Sequence, residues 1–425
     1  MNDSVISQPQ VSIGIASICT HLTNHSHKCL VFDTHYDDDT TILSEILNYE
    51  FDYVGFSTTE VHYNHAKILA SNIRKCTNIP IVFGGVYPTL FPFEVIENDF
   101  IDFVCVGDGE VPLRKLLENS NKYTIKGLWH KNNNQILNSG SSDSFDVNSF
   151  CITDFSCFRK TSIVQERNNN GTSVRLSFIS GGRGCQFSCA FCSNHEIKKI
   201  HRHKIRHRKV DNIISEIIDL QIKYKITEIF FTNENFLAND NFVQEFCRKY
   251  VASNIKIPFG VLSRPEHINN QTVSLLKKSG CIKIHMGIEV GNEQFRKIYL
   301  NRNISNSSII NSFKICKHHN IATKSFLMIG FFFERLSDLQ ETYDLALESE
   351  SSRITCSIYY PLRGTKLGEI YYDANLVIKN NSILNYFDDS IIKHPTLSKS
   401  DLSNIRVSML RAYPEKLYLG NIVTK

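Results

Sequence analysis

The sequence predicts an α/β protein in which an N-terminal doubly wound parallel sheet is followed by a partial (β/α)6 barrel. Three observations carry this. Short apolar runs alternate with amphipathic stretches over residues 1–124, a polar and irregular stretch breaks the pattern over 125–172, and the alternation then resumes for six strand–helix units over 173–370. Residues 371–425 form a C-terminal tail with no informative pattern.

In the first domain KCLVFD (28–33), FDYVGFS (51–57), IPIVFGG (79–85) and IDFVCVGDGE (101–110) read as buried strands. IGIASICTHL (13–22) and HYNHAKILASNIRKC (62–76) between them read as amphipathic helices. Strands this apolar are covered on both faces, as in a parallel sheet with helices on either side. The break carries NNN twice and the run NSGSSDS, and reads as a linker with one hairpin. Beyond it, VRLSFIS, TEIFFTN, KIPFGVL, IKIHMGIEV, TKSFLMIG and RITCSIYY are strands, each followed by a helical segment. In such a repeat the chemistry sits on loops at the strands' C-terminal ends.

Composition limits the function classes. The 425 residues exceed one ordinary core, and 42% apolar with 21% charged residues describes a folded chain. A net charge of +4 gives no general reason to expect nucleic acid or an acidic membrane surface as a partner. No run of 18 apolar residues occurs and MNDSVISQPQ has no signal-peptide core, so no membrane span and a cytoplasmic location are expected. Thirteen cysteines, an odd number, argue against a disulfide framework and for buried thiols plus one ligand group.

That group lies in SGGRGCQFSCAFCSN (180–194), directly after the first barrel strand. Cys185, Cys189 and Cys192 form C-x3-C-x2-C on a glycine-rich loop, able to wrap one iron–sulfur cluster. Three thiolates leave one iron of a four-iron cluster open, as a catalytic site requires. The alternatives are core cysteines, or a zinc site completed by His195 or His201.

The spacing and its place resemble the radical S-adenosylmethionine (SAM) superfamily. The resemblance implies a [4Fe-4S] cluster whose open iron takes the amine and carboxylate of SAM, and cleavage of SAM to methionine and a 5′-deoxyadenosyl radical. Phe191 is the aromatic the family has between the last two cysteines. IFFTNENF (229–236) resembles F-x-D-D-x-F, with Asn233 and Glu234 in the acidic places as SAM contacts. MGIEVGNE (286–293) resembles G-I-E-S-G, where Glu289 would bind the ribose hydroxyls through two oxygens, and Arg264 and Arg302 fall where basic residues approach the SAM carboxylate. FLMIGFF and YYPLRGT resemble the G-x-P and P-x-P-G-T segments, with Phe331 or Phe332 replacing the first proline.

The first domain is similar to the cobalamin (B12)-binding domain that precedes the barrel in one subgroup. Ser57, Thr58, Thr59, Gly84, Gly85, Tyr87, Gly107 and Gly109 are then the cobalamin-contacting positions. Tyr87 stands where that subgroup commonly has a His, and the similarity begins inside the domain's first helix, with the first strand short or missing. The sequence DTHYDDD (33–39) invites a metal reading, or the D-x-H-x-x-G signature of cobalamin proteins, but reads better as a polar loop. HRHKIRHRK (201–209) could contact an anion but reads as mostly structural.

The resemblance implies cobalamin-dependent methyl transfer to, or rearrangement of, an unactivated carbon, with a small-molecule or peptide substrate and an external electron donor of flavodoxin or ferredoxin type. Alternatives are a SAM-only radical enzyme with a vestigial first domain, a methylthiotransferase, or a non-catalytic cluster or corrin sensor. A methylthiotransferase needs a second cysteine triad, for which Cys19, Cys29, Cys76 and Cys105 are not spaced.

Overall fold

The computed structural model describes residues 10–118, 121–132, 135–169, 172–200, 205–378 and 389–411. They fall into two compact units: one from the described residues of Pro9–Ile163 and Ser193–Lys204, the other from those of Val164–Cys192 and Ile205–Lys425.

In the first unit, β1 (Val54–Ser57), β2 (Ile81–Gly84) and β3 (Phe103–Cys105) run parallel in that order, with Ser57 opposite Gly84. The helix Glu60–Cys76 buries Val61, Tyr63, Ala66, Leu69, Ala70 and Ile73, the three- and four-residue spacing of one helical face. It meets a core of Phe83, Ile96, Ile101 and Val104.

One expectation fails here and a second is extended. Residues 28–33 form no strand: the Val31 N–H donates to the Cys157 carbonyl instead of a sheet neighbour, and Leu30 is exposed, so the apolar run packs as an irregular segment. The stretch 125–172, expected as a linker with one hairpin, carries that hairpin: β4 (Leu128–Asn132) and β5 (Gln135–Leu137) are antiparallel, β4 pairs with β3 and closes that side of the sheet, and Trp129 is buried in the core, so the hairpin belongs to the first unit's sheet.

The second unit starts at an antiparallel hairpin of β6 (Gln165–Asn169) with β7 (Thr172–Ile179). A two-residue ladder of β8 (Gly182–Arg183) with β9 (Arg206–His207) follows. Then come β10 (Glu228–Phe231), β11 (Phe259–Ser263), β12 (Cys281–Glu289), β13 (Ala322–Ile329) and β14 (Arg353–Ile358). The sheet order is β14-β13-β12-β11-β10-β7-β6, parallel from β7 to β14, a curled half-barrel. Asn239, Asn269 and Ser305 cap the helices Asp240–Ala252, Asn270–Lys278 and Asn306–His318 by accepting from a backbone N–H three residues on.

Period-two alternation assigns the faces. Ile284, Met286 and Ile288 of β12 are buried, and Met286 meets Ser312 of the helix Asn306–His318, so that face lies under the helices. Lys283, His285 and Gly287 therefore point to the concave side. The register adds Lys324, Phe326 and Met328 from β13, and Arg353, Thr355 and Ser357 from β14, to the same side. The tail is not separate from this unit: the helix Lys399–Arg411 packs on β14, where Arg406 Nε donates to the Cys356 carbonyl at 3.0 Å. Among the described residues no helix is long and apolar enough to cross a membrane.

Candidate functional site

The cysteine loop leaves the C-terminal end of β7 and is tied down on several sides. Gly181 donates to Asn233 Oδ1 at 2.7 Å and accepts from the Arg208 N–H at 2.9 Å. Arg208 also donates to the Ser180 carbonyl and, buried, to Glu216 at 2.8 Å. This segment of the basic run is thus structural, while 201–204 lie outside the described residues. Between the cysteines, Ala190 donates to Leu300 and accepts from Leu367, and Asn301 donates to the Ser188 carbonyl. Gly184 adopts φ +100°, a conformation that favours glycine.

Cys185, Cys189 and Cys192 are each partly accessible, whereas Cys105, Cys247, Cys281, Cys316 and Cys356 are buried. Burial pushes the Cys185 thiol up, with the Phe187 N–H and Arg264 opposing. Arg264 Nη1 donates to Cys189 Sγ at 3.1 Å, and its guanidinium lies 3.6 Å from the centre of the Phe187 ring. The second edge of Arg264 is held by Glu266. Among the described residues no three His, Cys, Asp or Glu side chains converge as a ready-made ion site. The three partly accessible thiols share one loop, the donor set that ligands to separate irons of one cluster require, and the Arg264 guanidinium at Cys189 Sγ would offset the charge such ligands carry. The residues fit a [4Fe-4S] cluster. His195 belongs to the helix Asn194–Ile200 of the first unit, 3.7 Å from Glu196.

Phe191 is half-buried against Val290, Leu300, Phe331 and Tyr359. Asn233 is buried with its Oδ1 committed to Gly181, so it fastens the glycine loop and does not present that oxygen to a ligand. Its neighbour Glu234 differs. It has substantial accessible surface yet is crowded by protein, the mark of a group lining a concavity; the crowding raises its carboxyl, against N–H donation from Glu234 itself and Gly184.

Glu289 ends β12 at φ +70°, where the register with β13 slips. Arg302, 3% exposed, donates to Glu289 Oε1 at 2.8 Å and to the Gly287 carbonyl at 2.8 Å. Burial raises the Glu289 carboxyl, with Arg302 and then Arg264 opposing. Oε1 thus accepts from Arg302, and the carboxylate keeps further acceptor sites on both oxygens. Gly330, at φ +89°, and Phe331 both donate to Glu334 Oε2, so this buried carboxyl shapes the turn in place of the missing proline.

The first unit brings Ser57, Thr58, Gly84 and Gly85 to the C-terminal ends of parallel strands, the usual ligand crevice of such sheets. Ser57 and Thr59 are exposed, and the buried Thr58 Oγ1 has no hydrogen-bond partner among the described residues. These groups fit a bulky polar ligand such as cobalamin. Other candidates are spent on the fold. Tyr87 is buried, its ring tilted against those of Tyr63 and Phe91, and donates to Glu94 at 2.5 Å. A Cβ on Gly85 would lie 2.7 Å from the Thr58 backbone, and one on Gly107 2.6 Å from Ser142 Oγ, so both glycines admit the protein's own chain. Gly109 begins the helix Glu110–Leu117, against Ile18. In 33–39, Asp33 and Asp38 accept from nearby backbone N–H groups, as a polar loop does.

Comparison with known proteins follows these two units. Residues 179–346 match the Radical SAM superfamily and residues 4–117 the B12 binding domain. The uncharacterized methyltransferase PH0819 of Pyrococcus horikoshii is 24% identical over 386 residues, 87% of this chain and 80% of that protein. An anaerobic magnesium-protoporphyrin IX monomethyl ester cyclase of Synechocystis is 22% identical, over 93% of this chain and 78% of its own. Among solved structures, the radical SAM methyltransferase TsrM of Kitasatospora setae superposes with a TM-score of 0.73 at 16% identity, covering 96% of this chain and 88% of that one. The cobalamin-dependent SAM radical enzyme OxsB gives 0.67 at 16% identity, covering 86% and 52%.

Proposed function

Because this chain belongs to the radical SAM superfamily, in the subgroup whose barrel follows a cobalamin-binding domain, we propose that it transfers a methyl group to an unactivated carbon of a small-molecule or peptide substrate. The observation that carries the reading is the three-thiol loop at the mouth of the half-barrel, with Arg264 on one sulfur, in a chain that also carries the B12 domain. Cys185, Cys189 and Cys192 would hold a four-iron cluster, which would supply the electron for reductive cleavage of SAM, and the first domain would hold cobalamin as the methyl carrier.

The protein's part is binding and orientation. Glu289, fixed by Arg302, offers its remaining acceptor sites to a ribose hydroxyl. Glu234 faces the concavity beside the cluster loop and receives a donor group of SAM. Arg264 steadies Cys189 and lies close enough to the loop to meet a carboxylate. Ser57, Thr58 and Thr59 would offer hydroxyls to the corrin, whereas the Tyr87 phenol is engaged with Glu94. An external donor of flavodoxin or ferredoxin type delivers the electron.

Carbon-skeleton closure is the second reading, supported by the cyclase named among the relatives. One assay separates them. Anaerobically reconstituted protein with hydroxocobalamin and SAM is reduced, and products are quantified with extracts enriched in candidate substrates. S-adenosylhomocysteine alongside 5′-deoxyadenosine marks methyl transfer, and 5′-deoxyadenosine alone marks rearrangement or closure. Neither product from cluster-loaded protein would sink the assignment.

A further inference from the structure

The rim of the first unit's sheet carries an imidazole beside its three hydroxyls. β1 ends at Ser57, and Thr58 and Thr59 lead directly into the helix Glu60–Cys76. The first turn of that helix therefore stands at the C-terminal end of the strand, where parallel sheets receive ligands. His62 is the third residue of the helix. Helical side chains lean toward the helix N-terminus, and here the lean is pinned: His62 Nδ1 lies 3.0 Å from Oγ1 of Thr59, the residue that precedes the helix. The ring is thus folded over the first turn, on the side of the rim.

This hydrogen bond lets Nδ1–H donate to the Thr59 hydroxyl, which leaves the ring's lone pair on Nε2. Nε2 has no hydrogen-bond partner among the described residues. A hydrogen bond at the far nitrogen is how proteins orient a histidine that ligates a metal. The ring keeps accessible surface, yet crowding by protein and then His65 hold its imidazolium below the ordinary range. The positive end of the helix acts in the same direction, so the ring is neutral at neutral pH, the form that ligates.

Other groups near the rim are engaged. Tyr87 donates to Glu94 within the core. His65, one turn further along the helix and away from the rim, has Nε2 3.0 Å from both oxygens of Asp39. Thr58 Oγ1, by contrast, is buried without a hydrogen-bond partner among the described residues, an unmet polar group at the same rim that a ligand would satisfy.

We propose that His62 is the protein's ligand to cobalt, its Nε2 meeting the lower face of a corrin that lies on this rim, with Thr59 as the positioning residue that fixes the ring. The proposal rests on the binding of cobalamin by this unit. It moves the axial role from the position after the paired glycines, where Tyr87 stands, to the helix that follows β1.

The test uses the full chain, cluster-loaded and carrying 15N-labelled histidine, with hydroxocobalamin of natural isotope content. Mild reduction gives Co(II) and leaves the cluster diamagnetic, so electron paramagnetic resonance reports the nitrogen on the cobalt axis. A histidine 15N splits the axial lines into doublets, the benzimidazole 14N of cobalamin itself splits them into triplets, and no axial nitrogen leaves them single. Wild type should give doublets. His62→Ala should lose them while retaining corrin through gel filtration, and added 15N-imidazole should restore them, which a collapsed crevice would not allow. His65→Ala should keep the doublets, and Thr59→Val should give part of the signal as single lines because the ring has lost the bond that orients it. Triplets or single lines in wild type, or doublets that survive His62→Ala, overturn the assignment. Stoichiometric corrin retention, read by absorption on the same preparation, tests cobalamin binding separately; a wild type that retains no corrin fails that binding and the assignment with it.

Discussion

The carboxylate of Glu289 folds back over Gly287, two residues earlier on the same strand, so closely that no Cβ could stand at position 287 without striking Glu289 Oε1. The absence of a side chain there, with φ +70° at Glu289 itself, fixes the carboxylate against Arg302.

Gly287→Ala should therefore behave like Glu289→Ala. Both variants should weaken SAM binding by roughly tenfold or more, about 1.4 kcal/mol, while iron content and cluster absorption stay at wild-type levels. Equilibrium binding of SAM to reconstituted protein checks this, and unchanged affinity in both would remove Glu289 from the site.

Single substitutions Cys185→Ala, Cys189→Ala and Cys192→Ala should each abolish the four-iron cluster, seen in iron analysis and the visible spectrum. Arg264→Met should keep the cluster but move its reduction potential to more negative values. That variant removes a positive charge and a hydrogen bond from Cys189 Sγ, both of which favour the reduced state. Redox titration monitored by electron paramagnetic resonance reads the shift, and an unchanged potential would dissociate Arg264 from the cluster.

Tyr87→Phe should lower stability by about 1–2 kcal/mol through loss of the bond to Glu94. It should leave the absorption spectrum of bound cobalamin unaltered, because the phenol is turned into the core. A changed cobalt spectrum would return Tyr87 to the corrin face.

Glu334 gives a pH dependence. Burial raises its carboxyl from the ordinary 4.5 to about 8, against donation from the Phe331 and Gly330 N–H groups. The folded state therefore holds a proton that the unfolded chain releases. This contribution to stability is full below about pH 4.5 and is lost as pH rises through about 8. Glu334→Gln, neutral at every pH, should gain on wild type in urea midpoint steadily between those limits. A constant difference across that range would refute the linkage.

Much of the protein was legible in its residues. The alternation of apolar runs placed β1, β2 and β3 and the six parallel strands of the half-barrel, because a strand buried on both faces must be apolar whatever its neighbours are. The C-x3-C-x2-C spacing marked the cluster loop for a similar reason: three ligands to one cluster must come from a short, flexible stretch. Glu234 and Glu289 stood out by local motif; Glu289 ends β12 and Glu234 lies in the loop three residues past β10.

Other features depended on what lies opposite. Residues 28–33 have a strand's composition but bond to Cys157, and the hairpin expected within 125–172 joins the first unit's sheet through β3, since pairing is decided by the partner edge. Tyr87, Asn233, Gly85 and Gly107 looked available for ligands and are consumed by Glu94, Gly181, Thr58 and Ser142, contacts that local sequence does not contain. The cations Arg167, Lys283, Lys324 and Arg353 read singly as ordinary strand residues. Only the register of the sheet, parallel through β12, β13 and β14 and antiparallel at β6, brings these distant positions onto one concave face where they act on one another, because Coulomb energy depends on distance in space and not on separation along the chain.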